Sequence, residues 1–130
     1  MITAKIENGK FSIPIKLIGK NKETIVDFYI DTGFSGYLKI DKILFDELGL
    51  KSTTQKTFSI ANGSTEIADI SRIKFEVDEG KGESEITACG FGGRNLIGTN
   101  FLESVNIILI IDGIKGMYLT TDRKLAYEVG

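Results

Sequence analysis

An acid and two glycines follow an apolar run within residues 28–36. Strands disfavour both Asp and Gly, so this abrupt change indicates that a strand ends at Asp31. A rigid strand can fix an acid at its end as catalysis requires. Thr32 can hydrogen-bond to neighbouring backbone, Gly33 permits close approach of another chain segment, and Ser35 can donate a hydrogen bond to the carboxylate. This spacing suits general acid–base chemistry by a carboxylate, and an ordinary polar turn is the alternative.

The composition removes most competing chemistries. The 130 residues include no histidine and a single cysteine, Cys89. Ser-His-Asp and Cys-His catalysis both need an imidazole base, and zinc sites usually need several Cys or His ligands. We therefore expect acid–base chemistry by carboxylates, lysines or tyrosines with shifted pKa values, with no metal ion and no other cofactor. Cys89 is predicted to be a buried structural thiol in an apolar strand.

Length and charge bound the organisation and the partners. A chain with 42% hydrophobic residues at this length favours a single domain over residues 1–130. Its 16 basic and 18 acidic residues form no long run of either sign, so nothing favours binding to nucleic acid or a membrane surface. No apolar run approaches the roughly 20 residues of a membrane span, and no signal peptide is recognisable. With one cysteine, a reducing cytoplasmic location is expected.

The elements that must position the acid are predicted to be mostly strands. Residues 3–7 and 10–19 flank Asn8-Gly9, a favoured two-residue hairpin turn, and residues 23–30 form the strand that ends at the acid. Pro14 cannot donate to a ladder, which indicates an edge or irregular strand at that point.

Two short helices are expected between the strands. Asp41 can cap the start of a helix, apolar residues then recur near helical spacing, and Gly49 is a natural stop. A second helical candidate runs from Thr99 to Ser104.

Later turns complete the pattern. Asn62-Gly63 marks a tight hairpin, residues 79–83 make another turn, and Asp112-Gly113 joins the last two strands. The glycines of residues 90–95 match no phosphate-binding pattern and are interpreted as a loop near the wall of the candidate site. The whole pattern predicts an all-β fold with one or two short helices.

These motifs, in this order, resemble the retropepsin-like aspartic proteases. The resemblance rests on the sequence around Asp31, the helix after Asp41, the hairpin at Asn62-Gly63 and the apolar-apolar-Gly motif at residues 96–98, and it extends from Ile13 to Leu119. It implies a single-lobe acid protease barrel with a β-hairpin flap, and it assigns roles to the matching residues.

The first motif would supply the chemistry. Asp31 resembles the catalytic aspartate of the family, and Thr32 the residue whose hydroxyl cross-links two active-site loops. Gly33 resembles the position at which the substrate backbone binds. The Asn62-Gly63 hairpin resembles the flap, and residues 96–98 resemble the element that packs behind the catalytic loop. The residues expected to bind substrate are Ser35, Ile60, Ala61, Asn62, Gly63, Leu96 and Ile97.

The chain departs from the retroviral pattern at two positions. Retroviral members often carry an acid four residues after the catalytic Asp and an Arg in the later motif, where this chain has Ser35 and Thr99. Because both partners of that ion pair are replaced, no charge is left stranded. The change concerns the retroviral style of dimer contact and leaves the acid–base chemistry in place.

The resemblance also implies a homodimer. Aspartic proteolysis activates a water between two carboxylates that share one proton, because two adjacent acids cannot both ionise readily. The chain has one Asp-Thr-Gly, so a second copy must supply the other acid. We therefore predict a homodimeric aspartic endopeptidase. Its peptide or protein substrate would lie extended beneath the flap, with hydrophobic side chains around the cut.

Two alternatives remain at this point. The same fold could be a catalytically silent dimerisation or peptide-binding module, since a fold does not guarantee an activity. A small barrel that binds an apolar ligand is a further possibility, but it leaves Asp31-Thr32-Gly33 unexplained.

Overall fold

The computed structural model describes residues 1–59, 63–78, 80–90, 93–114 and 116–124. Within these ranges strands dominate, and the two helices have six residues each. The strands are β1 (Ile2–Thr3), β2 (Lys5–Glu7), β3 (Lys10–Ile18), β4 (Glu23–Ile30), β5 (Leu38–Ile40), β6 (Thr54–Ser59), β7 (Thr65–Val77), β8 (Gly80–Ala88), β9 (Leu96–Ile97), β10 (Ile108–Asp112) and β11 (Gly116–Thr120). The helices are α1 (Lys42–Glu47) and α2 (Thr99–Ser104).

In the part of the chain that the structure describes, neither helix has the length or the apolar character to cross a membrane.

The strands form one large and one small sheet. The large sheet has the order β2-β3-β4-β9-β5-β8-β7-β6, and β3 also pairs with β7. This additional pairing closes the strands from β3 to β7 into a ring, which is the barrel that the sequence predicts. The small sheet has the order β1-β11-β10 and is antiparallel throughout.

A single cluster of buried side chains joins the two sheets. Alternate residues of β3 are fully buried, as expected for a strand with one face on a core: Ile13, Ile15 and Leu17. Met117 and Leu119 of the small sheet belong to the same cluster. The small sheet is therefore packed on the barrel rather than standing apart from it.

Pro14 lies where β3 changes partner. One edge of β3 pairs with β4 along its length, including Pro14 with Asp27. The other edge pairs with β2 at residues 10–12 and with β7 at residues 16–18. Among the described pairings, Pro14 thus sits between two partners on this edge, where its missing N–H breaks no ladder. Of the predicted alternatives, an edge or an irregular strand, the structure shows a continuous strand that has an unpaired edge at Pro14 among the described pairings.

The predicted strand over residues 3–7 is wrong as a single element. Ala4 is buried and its amide donates to the Met117 carbonyl at 3.0 Å. The chain crosses there from the small sheet to the large one, so β1 pairs with β11 whereas β2 pairs with β3.

The turn predicted at residues 79–83 is also misplaced. Val77 already pairs with Gly80, and β8 runs on from there. Gly82 pairs with Phe75, and a Cβ at Gly82 would lie 3.2 Å from the Phe75 ring. Glycine here makes room for an aromatic side chain within a hairpin and does not mark its turn.

Candidate active site

Asp31 directly follows the last residue of β4. Phe28 anchors the strand in the core, and β4 is held on one side by β3 and on the other by β9. The amide of Asp31 donates to the Ile97 carbonyl at 3.0 Å. This half-buried acid therefore follows a strand that is paired on both sides, and its own amide is fixed by Ile97.

The carboxylate is oriented by its own loop. Its Oδ1 accepts a hydrogen bond from the Gly33 amide at 2.9 Å, and the Phe34 amide donates to the Asp31 carbonyl at 3.1 Å. A Cβ at Gly33 would lie 3.2 Å from this Oδ1, so the small residue lets the loop turn tightly around the acid. Thr32 and Gly33 are both exposed.

The two residues of β9 lie between the strands on either side of the acid. β9 runs parallel to β4 and antiparallel to β5. Ile97 is fully buried, whereas Leu96 is partly exposed. The Ile97 side chain is therefore part of the core, whereas Leu96 borders the cavity described below.

Residues 98–100 clamp the loop that follows Asp31. The Gly98 amide donates to the Tyr37 carbonyl at 2.7 Å. The Thr99 amide donates to the Phe34 carbonyl at 2.9 Å. A Cβ at Gly98 would overlap the Gly36 carbonyl. The apolar-apolar-Gly motif thus packs directly against the acid loop, and its glycine is needed for that approach.

Asp31 lines a cavity of about 300 Å³. The cavity lies where the β2–β3 turn, the end of β4 and the segment before β9 meet. Its lining consists of Gly9, Lys10, Phe11, Tyr29, Ile30, Asp31, Arg94 and Leu96. Asp31 therefore borders an open space between these three segments.

Three side chains that line this cavity were not predicted from the sequence. Lys10 and Phe11 belong to the β2–β3 hairpin. No sequence motif connects this hairpin with Asp31. Arg94 lies in the glycine-rich segment that was interpreted as a loop near the site, but no role was assigned to its side chain. Only the strand pairing of β3, β4 and β9 brings these residues together.

Ser35 does not line the cavity of Asp31. It borders a separate cavity of about 230 Å³ with Lys56 of β6 and Glu85 of β8. Among the described residues, the hydrogen bond on the Asp31 carboxylate comes from the Gly33 amide and not from the Ser35 hydroxyl. The predicted Ser35–Asp31 hydrogen bond is therefore absent there, because the turn at residues 32–34 separates the two side chains.

The predicted flap corresponds to the hairpin of β6 and β7. These strands pair from Thr54–Ile70 to Ser59–Thr65. Ile60, Ala61 and Asn62 lie outside the described residues. Gly63 is exposed at a φ of 85°, a left-handed conformation that favours glycine.

Cys89 lies just after β8 and is half-buried, so its predicted place inside a strand is wrong. Its Sγ donates a hydrogen bond to Glu66 Oε2 at 2.8 Å. Burial, the hydrogen bond and the negative charge of Glu66 raise the pKa of this thiol. The thiol thus stays protonated near neutral pH and is a poor nucleophile.

Within the described ranges, no three His, Cys, Asp or Glu side chains are grouped so that they could hold a metal ion.

In the described residues the architecture is an all-β barrel with a small added sheet and two short helices. The chain is similar to the crystal structure of a retropepsin-like aspartic protease from Rickettsia conorii, with a TM-score of 0.62 and 20% sequence identity. The match covers 92% of this chain and 88% of that chain. The protein thus has the retropepsin-like fold, and the fold expected from the sequence resemblance is confirmed. No protein-family model and no curated protein matches the sequence significantly.

Proposed function

We propose that the protein is an aspartic endopeptidase that works as a homodimer. The observation that carries the proposal is the Asp31 carboxylate. It lies at the end of a doubly paired strand, is oriented by the Gly33 amide, and borders a cavity. The fold supports the same class of activity, because the chain is similar to a solved retropepsin-like aspartic protease.

The reaction needs a second carboxylate. The sequence carries one Asp-Thr-Gly, and the other lining residues of the Asp31 cavity are not acids. A two-fold axis next to the loop would place Asp31 opposite its copy, which completes the pair with one closed interface. The exposed Thr32 would then contact the partner loop.

In this dimer one Asp31 carboxyl group acts as a base and the other acts as an acid. One carboxylate is ionised and takes a proton from water, which attacks the peptide carbonyl carbon. The other is protonated and donates its proton to the carbonyl oxygen. The resulting diol collapses with cleavage of the C–N bond: the amine leaves with the proton that the base took from water, and a hydroxyl of the diol returns its proton to the dyad. The exposed Gly33 and the β6–β7 hairpin would pair with the extended substrate backbone.

Subunit mixing tests the proposal. Asp31→Asn alone should lower hydrolysis of a mixed peptide library by at least about a hundredfold, because the general base is lost. Mixed in equal amounts with wild type, under conditions of subunit exchange, the variant should reduce the activity of the wild-type fraction to about half, since mixed dimers lack one acid. A monomeric enzyme would keep its full activity in this mixture.

Asp27→Asn is the matched control. Asp27 lies in the same strand and pairs with Lys5 at 3.4 Å on the exposed surface, where an ion pair contributes little. This variant should cleave like wild type and should not inhibit it. Equal behaviour of wild type and Asp31→Asn towards all peptides would overturn the proposal and favour a silent binding module.

A further inference from the structure

Two cations that form no salt bridge among the described residues border the cavity of Asp31. Lys10 and Arg94 are both exposed and both line it. The side-chain salt bridges in the described ranges involve other basic residues, namely Lys5, Lys16, Lys22 and Arg72. The two cations are therefore available to an anionic group that enters the cavity.

The Arg94 side chain is positioned by its surroundings. Its guanidinium carbon lies 5.5 Å from the centroid of the Tyr29 ring, a cation–π contact that restrains the planar group. Its carbonyl accepts a hydrogen bond from Lys39 Nζ at 3.2 Å, which holds the segment before β9. A guanidinium restrained by a ring face keeps its N–H edge for a carboxylate, and less side-chain entropy is lost on binding.

Three apolar side chains share the wall with the two cations. Phe11, Ile30 and Leu96 are partly buried and line the same cavity. Apolar walls exclude water and strengthen an ion pair formed between them. A carboxylate on a short aliphatic stem fits such a wall better than a free anion does, because its methylene groups contact the apolar side chains.

The charge balance of the cavity favours an acid. Asp31 is its single acidic lining residue, and in the proposed dimer two copies of this residue share one proton. The cations of both copies then outnumber the remaining negative charge. An entering carboxylate is attracted overall rather than repelled.

We propose that Arg94, assisted by Lys10, selects an Asp or Glu side chain of the substrate at a position beside the cleaved bond. This inference rests on the proposed function, because that function places a peptide in the cavity. The sequence analysis predicts hydrophobic substrate side chains around the cleaved bond. This inference adds an acidic side chain at one of these positions.

The test separates binding from cleavage. The probes are octapeptides of Ala, Leu and Phe, labelled with a fluorophore, in which one position at a time carries Glu or Gln. Binding is measured by fluorescence anisotropy to Asp31→Asn protein, which cannot turn the peptides over. At one position, Glu should bind about fivefold more tightly than Gln, as for a partly exposed charge-assisted pair.

Variants of Arg94 identify the side chain responsible. In the Asp31→Asn background, Arg94→Met keeps an unbranched chain against Tyr29 but loses the charge, and it should abolish the Glu preference. Arg94→Lys should keep part of it. Arg72→Gln removes an exposed guanidinium that lies outside this cavity and should leave the preference intact.

The outcomes distinguish this inference from the proposed function. A preference that Arg94→Met abolishes supports the inference even if wild type cleaves none of the peptides, in which case the proteolytic function fails alone. A Glu preference that Arg94→Met leaves unchanged, or no preference at any position, overturns the inference. When wild type cleaves, kcat/KM for Glu and Gln peptides should show the same ratio.

Discussion

The close packing of the loop after Asp31 depends on the absence of a Cβ atom at two glycines. Gly33 and Gly98 are both near Asp31, but they differ in what a methyl group would meet. At Gly33 it would contact the carboxylate at 3.2 Å, whereas at Gly98 it would overlap the backbone of Gly36. A side chain can shift by a few tenths of an ångström, but a carbonyl held in a hydrogen-bonded loop cannot.

Gly98→Ala is therefore expected to be destabilising by about 1–3 kcal/mol or more, as for overpacking of a tight site. Urea denaturation followed by circular dichroism measures this free energy of unfolding. Gly113→Ala is the control, since nothing lies within 4 Å of a Cβ at Gly113, and it should stay within about 0.5 kcal/mol of wild type. Equal midpoints for the two variants would contradict the close packing of Gly98.

At this scale the sequence predicted the acid but not its surroundings. Asp31 was identifiable because a strand end, a small residue and a hydroxyl follow one another in the chain. Lys10 and Arg94 were not, because they reach the cavity from other elements, and their proximity depends on strand register. Ser35 was expected on the carboxylate, yet a tight turn directs it to a different cavity.

Among the elements, the two helices were predictable and the shortest strands were not. Asp41 caps α1 through its Oδ1, which accepts from the Leu44 amide at 2.8 Å, and Gly49 ends the helix region at a φ of 74°. These are local signals, and the prediction from them is confirmed. β9 has two residues and a parallel partner distant in sequence, so tertiary contacts determine its pairing and local propensity does not.

Asp41→Ala should reduce the free energy of unfolding by about 1 kcal/mol, because the first turn of α1 loses its capping acceptor. Thermal unfolding and urea midpoints can both detect this change. Asp46→Ala lies in the same helix, is exposed and makes no cap, so it should be neutral or slightly stabilising. A neutral Asp41→Ala would show that the cap does not contribute to α1.

At the scale of the whole molecule, the proposed function requires two copies of this single lobe, because each copy supplies one Asp31. The small sheet ends at β10, which is an edge strand among the described pairings. Ile111 in β10 is 64% exposed, and Ile114 in the following turn is 97% exposed. Exposed apolar residues on an edge strand favour pairing with another chain. We therefore infer that, in the proposed homodimer, the small sheet adds to the contact made at the Asp31 loop.

Ile111→Lys should weaken self-association by about tenfold or more in Kd, a change equivalent to about 1.4 kcal/mol. Sedimentation velocity over a concentration series measures this directly, and specific activity should fall in parallel at low protein concentration. Ile25→Lys is the matched control, because Ile25 is 69% exposed but belongs to β4 of the large sheet. Unchanged association of Ile111→Lys, or an equal effect of Ile25→Lys, would place the contact elsewhere.

The hydrogen bond from the Asp31 amide to the Ile97 carbonyl has a consequence for the newborn chain. The ribosome releases the acid well before it releases the residue that completes its support. Until Ile97 has emerged, β4 has no strand on the side that β9 occupies in the folded protein. Folding is slow because the long segment between Asp31 and Ile97 must first close into a loop. A nascent chain therefore carries Asp31 without the backbone partner that fixes it until Ile97 has emerged and β9 can pair with β4.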